Sequence, residues 1–294
     1  MKKQNDPGKR LLHVLAKAPI AVPGTFYPFG ALQIQAAGFP ACYLSGAALS
    51  TSLGLLDEGL LTSHDVSEAT RNITRVVDIP VIVDCDTGLL EPITHGQMNP
   101  RILTVLMAQA GAAAIQLEDQ ISAKKRCGHL DGKRVVSEQA MVAKIAYACE
   151  ARYNGNLLII ARTDSRAPEG LDAAIRRAHA YVHAGADAIF PEALESLDEF
   201  RTFRESLPDA ILLANLAEHG KTPANIRAED LWEIGYEIVL FPVTGTRAMY
   251  RAHQDVLDEI AKTGSVQRSA QSGIMPRQAV NKLITDQSRP YQKK

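Results

Sequence analysis

From about residue 20 to residue 260, short apolar runs rich in Val, Ile, Leu and Ala alternate with longer amphipathic stretches. This rhythm predicts strands and helices alternating around a parallel sheet. Eight apolar runs occur, at residues 20–23, 41–44, 80–83, 113–117, 157–161, 186–190, 210–214 and 237–241. Eight such units predict an α/β chain closed as a (β/α)8 TIM barrel. An open doubly wound sheet produces the same alternation, but no GxGxxG follows the first run and no GxxxxGK[ST] occurs. Helix signals fall between the runs: Thr62 and Ser63 precede an acidic first turn, and Thr222 reads as an N-cap before Pro223. After Ser137, Val142, Ile145, Ala146 and Cys149 recur at helical spacing and predict one buried face. No internal repeat or linker is visible, so residues 1–262 are assigned to the barrel. Residues 263–294, polar apart from 279–284, form a predicted helical extension that must pack on the barrel or on a neighbouring subunit.

Charge and composition narrow the function without naming it. With 32 basic and 33 acidic residues the formal net charge is -1, so no global field would hold the chain on nucleic acid or an anionic membrane. The expected partner is a small molecule. The first ten residues lack a signal-peptide core, and no apolar run approaches the roughly 18 residues of a membrane helix, which reads as a cytoplasmic protein. Cys42, Cys85, Cys127 and Cys149 show no CxxC spacing, against a disulfide scaffold or structural zinc.

The residues just beyond the apolar runs carry the chemistry. They include Ser45, Gly46 and Ala47 after the second run, Asp84 and Asp86 after the third, and Glu118 and Asp119 after the fourth. Arg162 and Asp164 follow the fifth, Glu192 the sixth and Asn215 the seventh. In a parallel barrel all of them stand on the carboxyl-terminal rim, where catalytic groups are built. Asp84 and Asp86, two apart, project to one side of an extended chain. They either hold a cation with Glu118 or cap the following turn, and an all-oxygen donor set favours Mg²⁺ or Mn²⁺. Arg162 either grips a substrate carboxylate in bidentate fashion or pairs internally with Asp164.

Residues 119–136 make an unusually long connection, a length typical of binding loops. Within it lies KKRCGHLDGK, residues 124–133. Lys124, Lys125, Arg126 and His129 are expected to stabilise a thiolate at Cys127 and tune it for proton exchange, while attracting an anionic substrate. The alternative is a solvated basic loop.

KKRCGH followed by GK, together with VDCDTG, QLEDQ, SLGLLDEG, IIARTDS, FPEA and LLANL, resembles the isocitrate lyase and phosphoenolpyruvate mutase superfamily, and within it the 2-methylisocitrate lyase family. The similarity spans residues 9–285. It implies a (β/α)8 barrel whose final helix is exchanged between paired subunits of a homotetramer. It further implies that Asp84 and Asp86 bind Mg²⁺, with Asp57 and Glu118 reaching the ion through water. Cys127 would be the acid/base, with Lys125, Arg126, His129 and Arg162 assisting. Ser45, Gly46, Ala47, Gly128, Arg162, Glu192, Asn215, Leu216, Ala217, Arg247 and Arg277 would bind substrate.

The cysteine motif implies a carbon–carbon lyase, since phosphonate mutases and oxaloacetate decarboxylases of the superfamily lack it. Phe190 and Leu240 resemble the methylisocitrate enzymes, where isocitrate lyases present a tryptophan and a threonine; one methyl contributes roughly 1–3 kcal/mol to such discrimination. The expected reaction is Mg²⁺-dependent cleavage of 2-methylisocitrate to pyruvate and succinate. The alternatives are cleavage of dimethylmalate or isocitrate, oxaloacetate decarboxylation, or a non-catalytic keto-acid-binding barrel. Two departures from the family pattern bear on substrate: a longer segment at residues 89–100 beside the proposed metal site, and Ala217 where a hydroxyl residue is common.

Overall fold

Each apolar run becomes a strand, because β-branched and aliphatic residues flanked by turns can bury both faces of a parallel sheet only when helices cover one and a barrel interior the other. The computed structural model describes residues 6–128, 130–152 and 157–289. Its strands are β1 (Ile20–Thr25), β2 (Cys42–Leu44), β3 (Val81–Asp84), β4 (Ala114–Glu118), β5 (Leu158–Thr163), β6 (Ala188–Pro191), β7 (Ile211–Asn215) and β8 (Ile238–Phe241). All neighbours pair in parallel and in chain order, and β8 closes on β1 with Ile20 opposite Ile238. The result is a closed eight-stranded barrel of the TIM type.

The helices are α1 (Pro7–Leu15), α2 (Pro28–Ala36), α3 (Gly46–Ser52), α4 (Ser63–Thr74), α5 (Pro100–Gln109), α6 (Glu138–Ala151) and α7 (Arg166–Glu169). They continue with α8 (Leu171–His183), α9 (Leu197–Ser206), α10 (Ala228–Ile234), α11 (Thr244–Thr263), α12 (Gln267–Ser272) and α13 (Arg277–Gln287). Thr62 caps α4 with a reciprocal bond to Asp65, as the acidic first turn predicts. Two local expectations are corrected. Thr222 caps no helix: its hydroxyl donates to the Leu194 carbonyl, and α10 begins at Ala228. The buried face of α6 is Met141, Ile145 and Ala148, one step round from the expected set, because the helix packs between α5, α8 and β5.

Two apolar layers hold the barrel together. The larger lies between strands and helices and contains Val83, Ile115, Leu117, Ile159 and Val239. The smaller fills the barrel interior with Val22, Tyr43, Ile82, Ile160, Phe190, Leu213 and Leu240, joined by Leu11 of α1. Because side chains alternate along a strand, one residue in two belongs to each layer. Within the extension, α13 packs on α2 of its own barrel, with the Gln35 amide donating to Gln287 and Arg289 paired with Asp78. No helix among the described residues is long and apolar enough to cross a membrane.

Candidate active site

The period of two that builds the barrel interior also builds the site. Inward-facing Ile82 is followed two residues on by Asp84, Ala114 by Gln116 and Glu118, Ile160 by Arg162, Phe190 by Glu192, and Leu213 by Asn215. The strands β3, β4, β5 and β7 run one or two residues further than their apolar runs, so Asp84, Glu118, Arg162 and Asn215 are strand residues rather than loop residues. That places their side chains on rigid backbone at one mouth of the barrel.

Asp84 is held by three donors: the Gly46 amide at 3.1 Å, the Gln116 side-chain amide at 3.1 Å and the Asp86 amide at 3.2 Å. Tyr43 fixes Gln116 in turn, its hydroxyl donating to Oε1 at 2.6 Å. The two aspartates converge differently from the extended-chain expectation. The backbone leaves the strand after Asp84, and Asp86 takes a left-handed conformation, φ 46°, tolerated by aspartate. Cys85 consequently faces the outer core, where burial pushes its thiol well above the ordinary range. Gly46 opens α3 so close to the pair that a Cβ would stand 3.0 Å from Asp84 Oδ2 and 3.3 Å from Asp86 Oδ1. Ser45, just before it, is the N-cap of α3 and accepts from the Ala48 amide.

The carboxylates are buried with too few donors. Asp86 Oδ2 and both Glu118 carboxylate oxygens lack a hydrogen bond. Burial lifts Asp86 to about 7 despite Lys125, with Asp84 and Asp57 adding to the rise. Burial likewise raises Glu118 well above the carboxylate range, partly opposed by Arg162, whose Nη1 lies 3.3 Å from it. Lys125 departs from its expected place beside the thiol. Its ammonium is buried between Asp57 and Asp86, 3.0 Å from Asp86 Oδ1, and although burial disfavours its charge these acids hold its proton firmly.

Both readings of Arg162 are compatible with its surroundings. Its Nε donates to Asp164 Oδ2 at 2.9 Å and its Nη2 to Asp164 Oδ1 at 3.0 Å, leaving Nη1 toward Glu118. Glu192 lies 3.5 Å from Nε, and Asn215 donates to Glu192 at 3.4 Å. The guanidinium also stacks over Phe190, 5.3 Å from its ring centre. Gly128 lies on top of this group: a Cβ there would collide with Arg162 Nη2 and stand 2.7 Å from Glu192 Cδ. Half-buried Cys127 is therefore delivered to the mouth by a backbone that touches the arginine.

Arg126, Leu216, Ala217, Arg247 and Arg277 stand apart from this cluster. Arg126 is exposed and donates to the Asp131 carbonyl. Lys124 ends a short 3₁₀ turn, and His129 lies outside the described residues. Leu216 and Ala217 follow β7 and border an outer groove. Arg247 donates to the Glu218 carbonyl from exposed α11, and Arg277 starts α13 on the surface. The 89–100 segment folds as a small hairpin: Leu90 bridges Gln97 and Thr62, and residues 92–97 are exposed. It therefore braces the rim with its tip in solvent.

Tyr43, Gln116, Gln120, Lys133 and Lys144 were not read from the sequence as site residues. Gln116 and Tyr43 carry a detectable signal, polar atoms at inward positions of apolar runs. Lys144 carries none; its ammonium reaches the carbonyls of Thr87 and Glu118 from α6 and is lowered to about 8 by burial.

The family model for phosphoenolpyruvate phosphomutase matches residues 10–261. The chain belongs to the phosphoenolpyruvate mutase/isocitrate lyase superfamily. A 2-methylisocitrate lyase of Aeropyrum pernix is 49% identical over 260 residues, covering 88% of this chain and 81% of that protein. Those of Bacillus subtilis and Escherichia coli are 44% and 40% identical, over 85% and 89% of this chain and 81% and 86% of theirs. Among solved superfamily structures, 2,3-dimethylmalate lyase superposes with TM-score 0.85 at 30% identity, covering 95% of this chain and 91% of its own. A phosphonopyruvate hydrolase complex with oxalate and Mg²⁺ superposes with TM-score 0.81 at 26% identity, covering 95% of each chain. Within this superfamily the chain is a carbon–carbon lyase.

Proposed function

We propose that this lyase cleaves 2-methylisocitrate to pyruvate and succinate in the cytosol with a bound divalent ion. The observation that carries the reading is the Gly128 backbone, next to Cys127, lying against Arg162 and Glu192 in a chain 40–49% identical to curated 2-methylisocitrate lyases.

The donor set suits Mg²⁺ or Mn²⁺. Among the described residues no three His, Cys, Asp or Glu are grouped to hold an ion alone. Asp84 and Asp86 would be its direct protein ligands, the unpartnered Asp86 Oδ2 offering a coordination position, with Asp57 and Glu118 acting through water. When bound, the ion acidifies the substrate hydroxyl and neutralises the acids. The chain's own groups do the rest. Arg162, oriented by Asp164, holds a carboxylate of the departing four-carbon half and offsets the charge that develops there. As the hydroxyl proton passes to a carboxylate of the buried acidic cluster, the O–H bond pair forms the keto group of pyruvate, and the carbon–carbon bond pair passes to the carbon beside the carboxylate held by Arg162. Cys127 donates the proton that completes succinate. The buried walls around Phe190 and Leu240 exclude water and shape the space for the methyl group.

The enzyme is proposed to work as a helix-exchanged homotetramer. The 20-residue α11 buries only Thr246 and Glu259. Beside it a groove of about 1340 Å³, lined by Ile34, Phe39, Ile226, Trp232, Phe241 and Met249, lies open. The α11 of a second copy would fill it, and light scattering reporting a monomer would remove this part of the reading.

The decisive experiment is product analysis after incubation with 2-methylisocitrate, isocitrate and 2,3-dimethylmalate, with and without EDTA. Pyruvate and succinate should appear fastest from 2-methylisocitrate and vanish with EDTA. Cys127→Ser should lose turnover but retain Mg²⁺ and pyruvate binding; full activity in that variant would refute the role of the sulfur.

A further inference from the structure

Arg162 and the surrounding acids are almost wholly buried, with the loop tip at Gly128 lying against Arg162 and Glu192, so a ligand reaches them only when that tip moves. The base of the same segment is fixed. The Ile121 amide donates to the Arg134 carbonyl, the Val136 amide to the Asp119 carbonyl, and Gln120 bridges Val135. The 119–136 connection is thus a short paired stem carrying a tip, and two side chains on the stem reach the tip on either side of Cys127.

Gln120 brackets Arg126, its Nε2 donating to the Arg126 carbonyl at 2.9 Å and its Oε1 accepting from the Arg126 amide at 3.0 Å. Lys133 brackets the other side, its Nζ donating to the Gly128 carbonyl at 2.6 Å. The same ammonium donates to Asp164 Oδ1 at 2.7 Å, with 1% of its side chain exposed and none of the aspartate's. Asp164 is the group that orients Arg162. It is itself set by Asp119, which accepts from the Asp164 amide, the Thr163 hydroxyl and the Tyr181 hydroxyl, each at 2.8 Å.

We propose that Lys133 is a positioning residue which, with Gln120, clasps the backbone on both sides of Cys127 and ties that closed tip through Asp164 to Arg162. Closure is then keyed to an arginine that Asp164 already holds in place: the ammonium fitted between the Gly128 carbonyl and Asp164 is satisfied only when the tip is down. The charge count agrees. Opening leaves Lys133 with Asp164 alone, while Arg162 keeps both its bonds to Asp164, so the barrel survives and only the tip is released. Gly132, at φ 77°, supplies the left-handed turn that swings Lys133 inward.

This inference rests on the proposed lyase reading for its kinetic arm only. The test compares Lys133→Met, Lys133→Arg and Gln120→Leu with the full-length parent, first by backbone hydrogen exchange without ligand. A hydrogen bond to a charged group predicts that Lys133→Met speeds exchange at amides 127–130 about tenfold or more, with the β-strand amides unchanged. With 2-methylisocitrate and Mg²⁺, kcat should fall about tenfold or more while KM moves less than about threefold, because the ground-state contacts of Arg162 persist. Lys133→Arg should recover part of both effects, and Gln120→Leu should reproduce the exchange effect. Tip exchange within about twofold of the parent in Lys133→Met, or acceleration spread equally over the strands, would overturn the clasp. If the parent itself fails to turn over 2-methylisocitrate, the lyase proposal falls while the exchange result still decides the role of Lys133.

Discussion

Neutralising Asp86 should stabilise the metal-free protein while abolishing its chemistry. In the fold its carboxyl is lifted from 3.8 to about 7, chiefly by burial. Each pH unit of that elevation is about 1.4 kcal/mol, so ionised Asp86 weakens the metal-free fold by about 4 kcal/mol at pH 8. Between about pH 4 and about pH 7 the folded chain retains a proton that the unfolded chain has released, so stability falls as pH rises through this window. Asp86→Asn mimics the protonated group and removes the penalty. Urea unfolding in EDTA should show the variant about 4 kcal/mol more stable than the parent at pH 8, and less than about 2 kcal/mol more stable at pH 5. Adding Mg²⁺ at about a hundredfold over its Kd should stabilise the parent by about 2.7 kcal/mol, closing most of that gap, and should stabilise the variant much less. An Asp86→Asn chain that is less stable than the parent in EDTA at pH 8, or a gap that does not change with pH, would refute the picture of an acid kept under electrostatic strain to receive a cation.

Gly128→Ala should lower kcat/KM about a hundredfold without lowering the melting temperature, because its methyl cannot coexist with Arg162 and Glu192 in the closed position; steady-state kinetics and calorimetry check the pair of outcomes. Gln116→Leu removes one of the bonds on Asp84 and the partner of Tyr43, and calorimetric titration should find Mg²⁺ or Mn²⁺ bound about tenfold or more weakly. Lys144 is lowered from 10.5 to about 8, so above about pH 8 the unfolded chain holds the proton longer and the parent gains stability with pH. Relative to Lys144→Met, that gain should reach about 3 kcal/mol by about pH 10 in urea titrations.

The eight strands were legible because a buried parallel strand needs a continuous apolar run, and this requirement is local. The residues beyond those runs were equally legible as a rim: Asp84, Asp86, Glu118, Arg162, Glu192 and Asn215 do converge on one mouth. Parity along the strand decided that most of them face inward, and parity is already present in the sequence once Ile82, Ile160, Phe190 and Leu213 are taken as interior residues. The convergence of Asp84 and Asp86 was anticipated for the wrong local reason, since a left-handed turn rather than an extended strand brings them together.

The fold alone decided where the charges of the basic loop go. In sequence, Lys125 and Lys133 lie near Cys127, and proximity suggested that Lys125, with Lys124, Arg126 and His129, stabilises a thiolate there. In three dimensions Lys125 is drawn to Asp57 and Asp86, and Lys133 to Asp164 and the Gly128 carbonyl. Their carboxylate partners are 31 to 68 residues away in the chain, and no spacing rule encodes them. Period and burial are properties of neighbouring residues, so the sequence by itself determined the barrel and its acidic mouth. Which cation neutralises which acid is settled by desolvation and distance across separate strands and loops, and only the tertiary structure brings those groups within reach.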